Sequence, residues 1–88
     1  MTEQTSLIQY PCDFPIKIMG KAQSGFTQTM LVIVKTHAPD FNEATLEART
    51  SKNGAYLSLT CTIRARSRTQ LDSLYQALHD HPMVSMLL

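Results

Sequence analysis

The chain has 88 residues, room for one domain with one modest core. It is 43% hydrophobic and 17% charged, a globular composition, and its formal net charge of +1 builds in no strong pull toward nucleic acid or anionic lipid. No apolar run is long enough to span a membrane, and no N-terminal stretch joins basic residues to a long apolar segment, so neither a membrane protein nor a signal peptide is expected and the cytoplasm is the default location.

Residues 1–9 are polar apart from Leu7 and Ile8, which predicts a flexible, loosely docked terminus ahead of a single domain at 10–88. Pro11 and Pro15 bracket a segment that must be extended. Phe14 to Gly20 reads as the first strand, with Phe14, Ile16 and Ile18 on one face and Lys17 and Met19 on the other. A turn follows, with Ser24 the expected N-cap. Phe26, Met30, Ile33, Val34 and His37 then recur at helical spacing, so Phe26 to His37 is a helix that Pro39 stops. Leu31 and Val32 lie outside that stripe, and Leu31-Val32-Ile33-Val34 taken alone also fits a buried strand; length and the flanking Phe26-Thr27-Gln28-Thr29-Met30 favour the helix.

Ala44 to Ser51 is the second strand, with Leu46 and Ala48 inward and Glu47 and Arg49 outward. Asn53-Gly54 is a strong hairpin signal and predicts a two-residue type I′ turn. That turn would set Lys52 opposite Ala55, Thr50 opposite Leu57, Ala48 opposite Leu59 and Leu46 opposite Cys61, so inward residues meet inward residues. From Tyr56 to Ala65 the alternation is unbroken. Leu57, Leu59, Cys61, Ile63 and Ala65 take one face; Tyr56, Ser58, Thr60, Thr62 and Arg64 take the other. A strand of that length is expected to be central.

Ser67-Arg68-Thr69-Gln70 matches a capping box and opens a helix with Leu71, Leu74, Tyr75 and Leu78 as its buried stripe. After Pro82, Met83 to Leu88 reads as a terminal strand, with Val84, Met86 and Leu88 inward and Met83, Ser85 and Leu87 outward. Strand, helix, strand, strand, helix, strand predicts an α+β ferredoxin-like βαββαβ fold. Its sheet is antiparallel in order 4-1-3-2, with both helices on one face.

Phe14-Pro15-Ile16-Lys17-Ile18-Met19-Gly20, the Ser51-Lys52…Gly54…Tyr56-Leu57-Ser58 stretch, Gln70-Leu71-Asp72-Ser73-Leu74-Tyr75 and His81-Pro82-Met83-Val84-Ser85-Met86-Leu87-Leu88 together resemble the YbeD-like family of small bacterial proteins. The resemblance covers Tyr10 to Leu88. The sequence departs from the family pattern by placing Asn53 between Lys52 and Gly54. The resemblance implies a fold similar to ACT regulatory domains, supplies no catalytic residue, and implies a small-molecule-responsive regulatory role by analogy of fold.

His37, His79 and His81 lie near helix ends, where the helix dipole favours them, and no cysteine or carboxylate stands at metal-ligand spacing, so no metal is expected. Cys12 and Cys61 read as two free thiols. Arg64, Arg66, Arg68 and Lys52 form the one basic concentration, a solvated strand end or an anion pocket. One aromatic, Tyr56, on the open sheet face is a poor base-stacking platform, so nucleic acid is not expected. No triad, carboxylate pair or phosphate loop appears, and neither an enzyme nor a cofactor is expected.

Two functional surfaces remain. One is the open sheet face of Lys17, Met19, Tyr56, Ser58 and Thr60, suited to docking a protein partner or a second copy. The other is the turn carrying Gly20, Lys21, Ser24 and Gly25. ACT-like domains have a glycine-bearing turn there near the bound effector, which implies a small-molecule ligand.

Overall fold

The structure, a computed structural model, describes residues 9–88. The flexible terminus expected at 1–9 therefore lies, apart from Gln9, outside the described residues. The elements are β1 (Cys12–Lys21), α1 (Phe26–His37), a 3₁₀ turn (Glu43–Thr45), β2 (Glu47–Thr50), β3 (Tyr56–Ala65), α2 (Arg68–His79) and β4 (Met86–Leu87). The sheet is antiparallel in the order β2-β3-β1-β4, which is 4-1-3-2 read from the other edge.

β3 is central, as its alternation requires. It pairs with β1 from Tyr56 opposite Lys21 to Ala65 opposite Cys12. β1 is longer at both ends than its sequence pattern suggested, because β3 supplies a partner along its whole length. Pro15 is tolerated inside it for a reason the ladder makes plain. Lys17 exchanges backbone hydrogen bonds with Leu88 on the β4 side, and the Met19 carbonyl accepts from Ser85 on that side. Pro15 shares their parity, so its missing N–H faces the edge that β4 is too short to reach, and no bond to β3 is lost.

The core lies between the sheet and the two helices. Ile16, Ile18, Leu59, Cys61 and Ile63 from β1 and β3 meet Phe26, Met30 and Val34 of α1 and Leu71, Leu74 and Leu78 of α2. Phe41, from a segment with no periodicity to mark it, is also buried there. Leu31 is buried and Val32 exposed, whereas the helical stripe had excluded Leu31 and included Ile33, which is half-buried. In the run Leu31-Val32-Ile33-Val34 every direction is apolar, so the position of the sheet selects the buried side.

Both helix starts depend on local chemistry. The expected cap Ser24 is exposed and outside α1. Gly25 is the N-cap, at φ 85°, with no side-chain cap. The chain enters the helix through a left-handed residue, which glycine adopts without a Cβ penalty. At α2 the expected box forms with a shift. The Ser67 hydroxyl accepts from the Gln70 N–H at 3.1 Å, while Gln70 Oε1 reaches past Ser67 to the Arg66 N–H at 2.6 Å. Gln70 Nε2 also donates to the His37 carbonyl at 2.9 Å and so ties the start of α2 to the end of α1.

The hairpin keeps the expected register and changes the expected turn. Thr50 faces Leu57 and Ala48 faces Leu59. The loop is not a type I′ turn, because Asn53 has no positive φ; only Gly54 does, at 77°. Gly54 N–H donates to the Ser51 carbonyl, Ser51 N–H to the Tyr56 carbonyl, and Tyr56 N–H to the Ser51 hydroxyl. Four residues thus form the loop where two were expected. Asn53 Oδ1 supports it from inside, accepting from Ser51 Oγ and the Ala55 N–H, each at 3.1 Å. β2 is also shorter than predicted, since a 3₁₀ turn occupies residues 43–45. All four of its residues are exposed, Ala48 included, because it forms the sheet edge. Gly54→Val should cost about 1–2 kcal/mol for the left-handed backbone, whereas Lys52→Ala should be near neutral. Urea denaturation of the two variants checks this.

β4 contains the largest departure from the sequence pattern. Leu87 pairs with Ile18 and packs on the core, while Met86 pairs with Met19 and faces solvent. Leu88 is exposed as well. The sequence pattern alone places Met86 and Leu88 inward and Leu87 outward. Residues 81–84 form a turn, closed by Val84 N–H to the His81 carbonyl and by Met83 N–H to His81 Nδ1. That turn leaves Met83 half-buried against the core rather than on the open face.

Candidate functional site

Cross-strand pairing lays the uncovered side of the sheet out in rows. Arg49, Ser58, Met19 and Met86 make one row across all four strands. Glu47, Thr60 and Lys17 make the next, continued by Leu88 through its backbone bonds to Lys17. Ser51, Tyr56 and Lys21 make the third. A shallow depression of about 240 Å³ lies among them, lined by Lys17, Met19, Arg49, Tyr56 and Ser58 with their neighbours. The residues predicted for a docking face are therefore adjacent, as alternation along β1 and β3 dictates.

Its chemistry is mixed. Among the described residues four large hydrophobic side chains are exposed, and three of them, Tyr56 (46%), Met86 (52%) and Leu88 (65%), stand on this one face. The fourth, Val32, is on α1. Sequence reasoning missed Met86 and Leu88 because it chose the wrong parity for the last strand. Beyond this patch, Arg64 reaches Asp13 across the β1–β3 pair at 3.2 Å.

The residues of the β1–α1 turn differ in their surroundings. Gly20 is buried, and a Cβ there would lie 2.3 Å from the Met83 carbonyl oxygen and 2.5 Å from Phe26 Cε1. Ser24 and Gly25 are exposed, with open space around Gly25. Ala22 N–H is engaged by the Ala55 carbonyl at 2.9 Å, which fastens the turn to the hairpin. Lys21 belongs to the row of Tyr56 and so links the turn to the open face.

The three arginines of the basic concentration go into separate ion pairs, and Lys52 stands apart in the hairpin loop. Arg64 meets Asp13, Arg66 meets Asp40 at 2.6 Å, and Arg68 meets Asp72 at 3.7 Å. Among the described residues no three His, Cys, Asp or Glu side chains converge as metal ligands. Both cysteines are free. Burial pushes the Cys61 thiol up to about 11, so at neutral pH it is a protonated core side chain. A larger hollow of about 440 Å³ lies between α2 and β4, lined by Tyr75, Gln76, His79, Leu87 and Asp72, the partner of Arg68. No helix among the described residues is long and apolar enough to cross a membrane.

Comparison with known proteins agrees with this geometry. A family profile described as "Protein of unknown function (DUF493)" matches residues 5–88. A UPF0250 protein of Nitrosomonas europaea is 80% identical over 88 residues, all of both chains. One of Bordetella pertussis is 58% identical over 85 residues, 97% of this chain and 93% of the relative. The solution structure of an H. pylori protein matches with a TM-score of 0.75 at 22% identity, covering 92% of this chain and 85% of that one. The crystal structure of the ACT domain from GTP pyrophosphokinase of Chlorobium tepidum matches with a TM-score of 0.67 at 19% identity, covering 88% and 97%. At those identities the two structures speak for the fold alone, and they agree with the ferredoxin-like order of the sheet. With a profile that spans nearly the whole chain and relatives this similar along their full length, the chain belongs to the DUF493 family, the UPF0250 or YbeD-like bacterial proteins, and has an ACT-like fold.

Proposed function

We propose that this chain is a non-catalytic regulatory or adaptor domain of the cytoplasm, and that it acts by holding a protein partner, or a second copy of itself, on the open face of its sheet. The observation that carries the reading is the gathering of Tyr56, Met86 and Leu88, exposed, on the one side of the sheet that no helix of the described residues covers. Apolar side chains left in water gain free energy on finding a partner, and tyrosine adds large area with a polar tip at low entropic cost.

The test is a Tyr56→Ser, Met19→Ser double variant. Tyr56 is exposed and Met19 half-buried, so the fold should survive with a stability change of about 1 kcal/mol or less. Circular dichroism and a melting curve check that. Affinity capture and sedimentation then compare the variant with the parent. Loss of the captured partner or of self-association by a folded variant is the expected result. A folded variant that keeps every association would overturn the docking face.

A second reading is supported by Gly25, whose left-handed backbone borders open space in the β1–α1 turn, and by the likeness to an ACT domain. It makes the chain an effector-binding domain with its ligand near Gly20, Lys21, Ser24 and Gly25. A thermal-shift screen against amino acids and small carboxylates tests it, since a ligand that binds only the folded form must raise the melting temperature. A uniformly flat screen would speak against this second reading.

A further inference from the structure

The charges around the open face point to the kind of partner it takes. The chain has eight lysines and arginines. Four of them, Lys35, Arg64, Arg66 and Arg68, have carboxylate partners. The other four, Lys17, Lys21, Arg49 and Lys52, have no carboxylate within ion-pair distance among the described residues, and three of these stand on the open face around the apolar strip. Lys52 is in the hairpin loop beside it. Among the described residues, Asp13 on this face is taken by Arg64, and Glu47, on the far side of Thr60 from Lys17, is the acid without a cation partner. Two strand spacings separate those two backbones by roughly 10 Å.

We infer that the open face docks an acidic segment of another protein, one that carries apolar side chains between its carboxylates. The inference rests on the docking reading above and adds the chemistry of the occupant. Apolar groups of such a segment would cover Met19, Met86 and Tyr56, while its carboxylates would reach Lys17, Lys21 and Arg49 at the margins. Opposite charges set at the rim of an apolar patch steer encounter and fix register. The same charges argue against a second copy as occupant. Among the described residues, two copies placed face to face would bring Lys17, Lys21 and Arg49 from each side against two unpaired Glu47 carboxylates, and like charges so placed oppose association. A single-stranded nucleic acid would be drawn by the cations. It would then find one tyrosine among aliphatic side chains where stacked bases need a run of aromatics.

The experiment titrates isotope-labelled protein with a synthetic peptide that alternates Glu or Asp with Leu or Phe. A control peptide has every Glu and Asp replaced by Lys, and an oligouridylate is run as a third probe. Backbone amide shifts locate the contact. Expected are shifts confined to the rows of Lys17, Met19 and Tyr56 with the acidic peptide, weakened by salt, and none with the lysine peptide. A Lys17→Glu, Arg49→Glu variant should bind the acidic peptide at least roughly tenfold more weakly, a loss typical of a reversed charge pair. Its melting temperature should be unchanged, because both side chains are exposed and unpaired. A variant bearing Lys17→Gln and Arg49→Gln serves the same purpose if the charge reversal unfolds the domain.

Equal binding of the two peptides, shifts centred elsewhere, preference for the oligouridylate, or peptide-free self-association through this face would each overturn the inference. So would an acidic peptide that binds the charge-reversed variant as tightly as the parent. The two readings fail separately. If Tyr56→Ser, Met19→Ser abolishes capture of a partner and Lys17→Glu, Arg49→Glu does not, the docking face stands and its acidic occupant falls.

Discussion

Leu59→Ala should lower the unfolding free energy by roughly 2–5 kcal/mol, the combined effect of lost burial and an incompletely collapsed cavity. Leu59 is fully buried at the middle of β3, with Ile18 on one neighbouring strand and Ala48 on the other. Backbone pairing on both sides holds β3 in place, so the strand cannot slide inward to fill the space. A domain of this size has little stability to spare, and a loss at the upper end would leave much of the protein unfolded at physiological temperature. Urea denaturation checks the prediction, and a cost below about 1 kcal/mol would contradict the assignment of Leu59 to the core face.

Gly20→Ala should be nearly as damaging, at about 3 kcal/mol, although it adds only a methyl group. That methyl would stand 2.3 Å from the Met83 carbonyl oxygen and 2.5 Å from Phe26 Cε1. Neither neighbour can yield cheaply. The first is backbone, in a segment anchored by the Ser85 N–H donating to the Met19 carbonyl, and the second is a ring with no exposed surface. Gly25→Ala is the instructive comparison. Its Cβ would meet nothing within 4 Å, so its cost should be only the left-handed backbone term of about 1–2 kcal/mol. Chemical denaturation of the two variants side by side should therefore rank Gly20 well above Gly25. The reverse order would mean that Phe26 does not pack against β1 as described.

The two glycines show where sequence reasoning stops. In the chain they bracket one short turn and look alike. One is small because an aromatic ring and a carbonyl press on it from remote parts of the fold; the other is a helix cap with a left-handed backbone. No local pattern distinguishes them, since the distinction depends on what arrives from residues 26 and 83. The hairpin is an intermediate case. Its register was readable because pairing Leu57 with Thr50 and Leu59 with Ala48 is the same for a two-residue and a four-residue loop, both being centred at the same point. The turn type was not readable, because Ser51 and Asn53 make side-chain bonds that favour the longer loop.

What the sequence by itself determined is whatever a short-range period can encode. The alternation of Tyr56 to Ala65, the helical spacing from Phe26, and the Ser67–Gln70 cap each place a face or an end using neighbours within a few residues. From these the order of elements and the sheet topology follow, and so does the sharing of one surface by Lys17, Met19, Tyr56, Ser58 and Thr60. What only the tertiary structure decided involves segments whose local pattern is degenerate. Met83-Val84-Ser85-Met86-Leu87-Leu88 is apolar on both parities, and only the bonds from Lys17 and Met19 to Leu88 and Ser85 turn Leu87 inward and leave Met86 and Leu88 in solvent. Likewise, two of the four paired cations are neutralised by carboxylates distant in the chain: Asp13 is 51 residues from Arg64 and Asp40 is 26 from Arg66. Those two ion pairs and strand parity at a sheet edge are relations between separated segments, and no period within either segment records them.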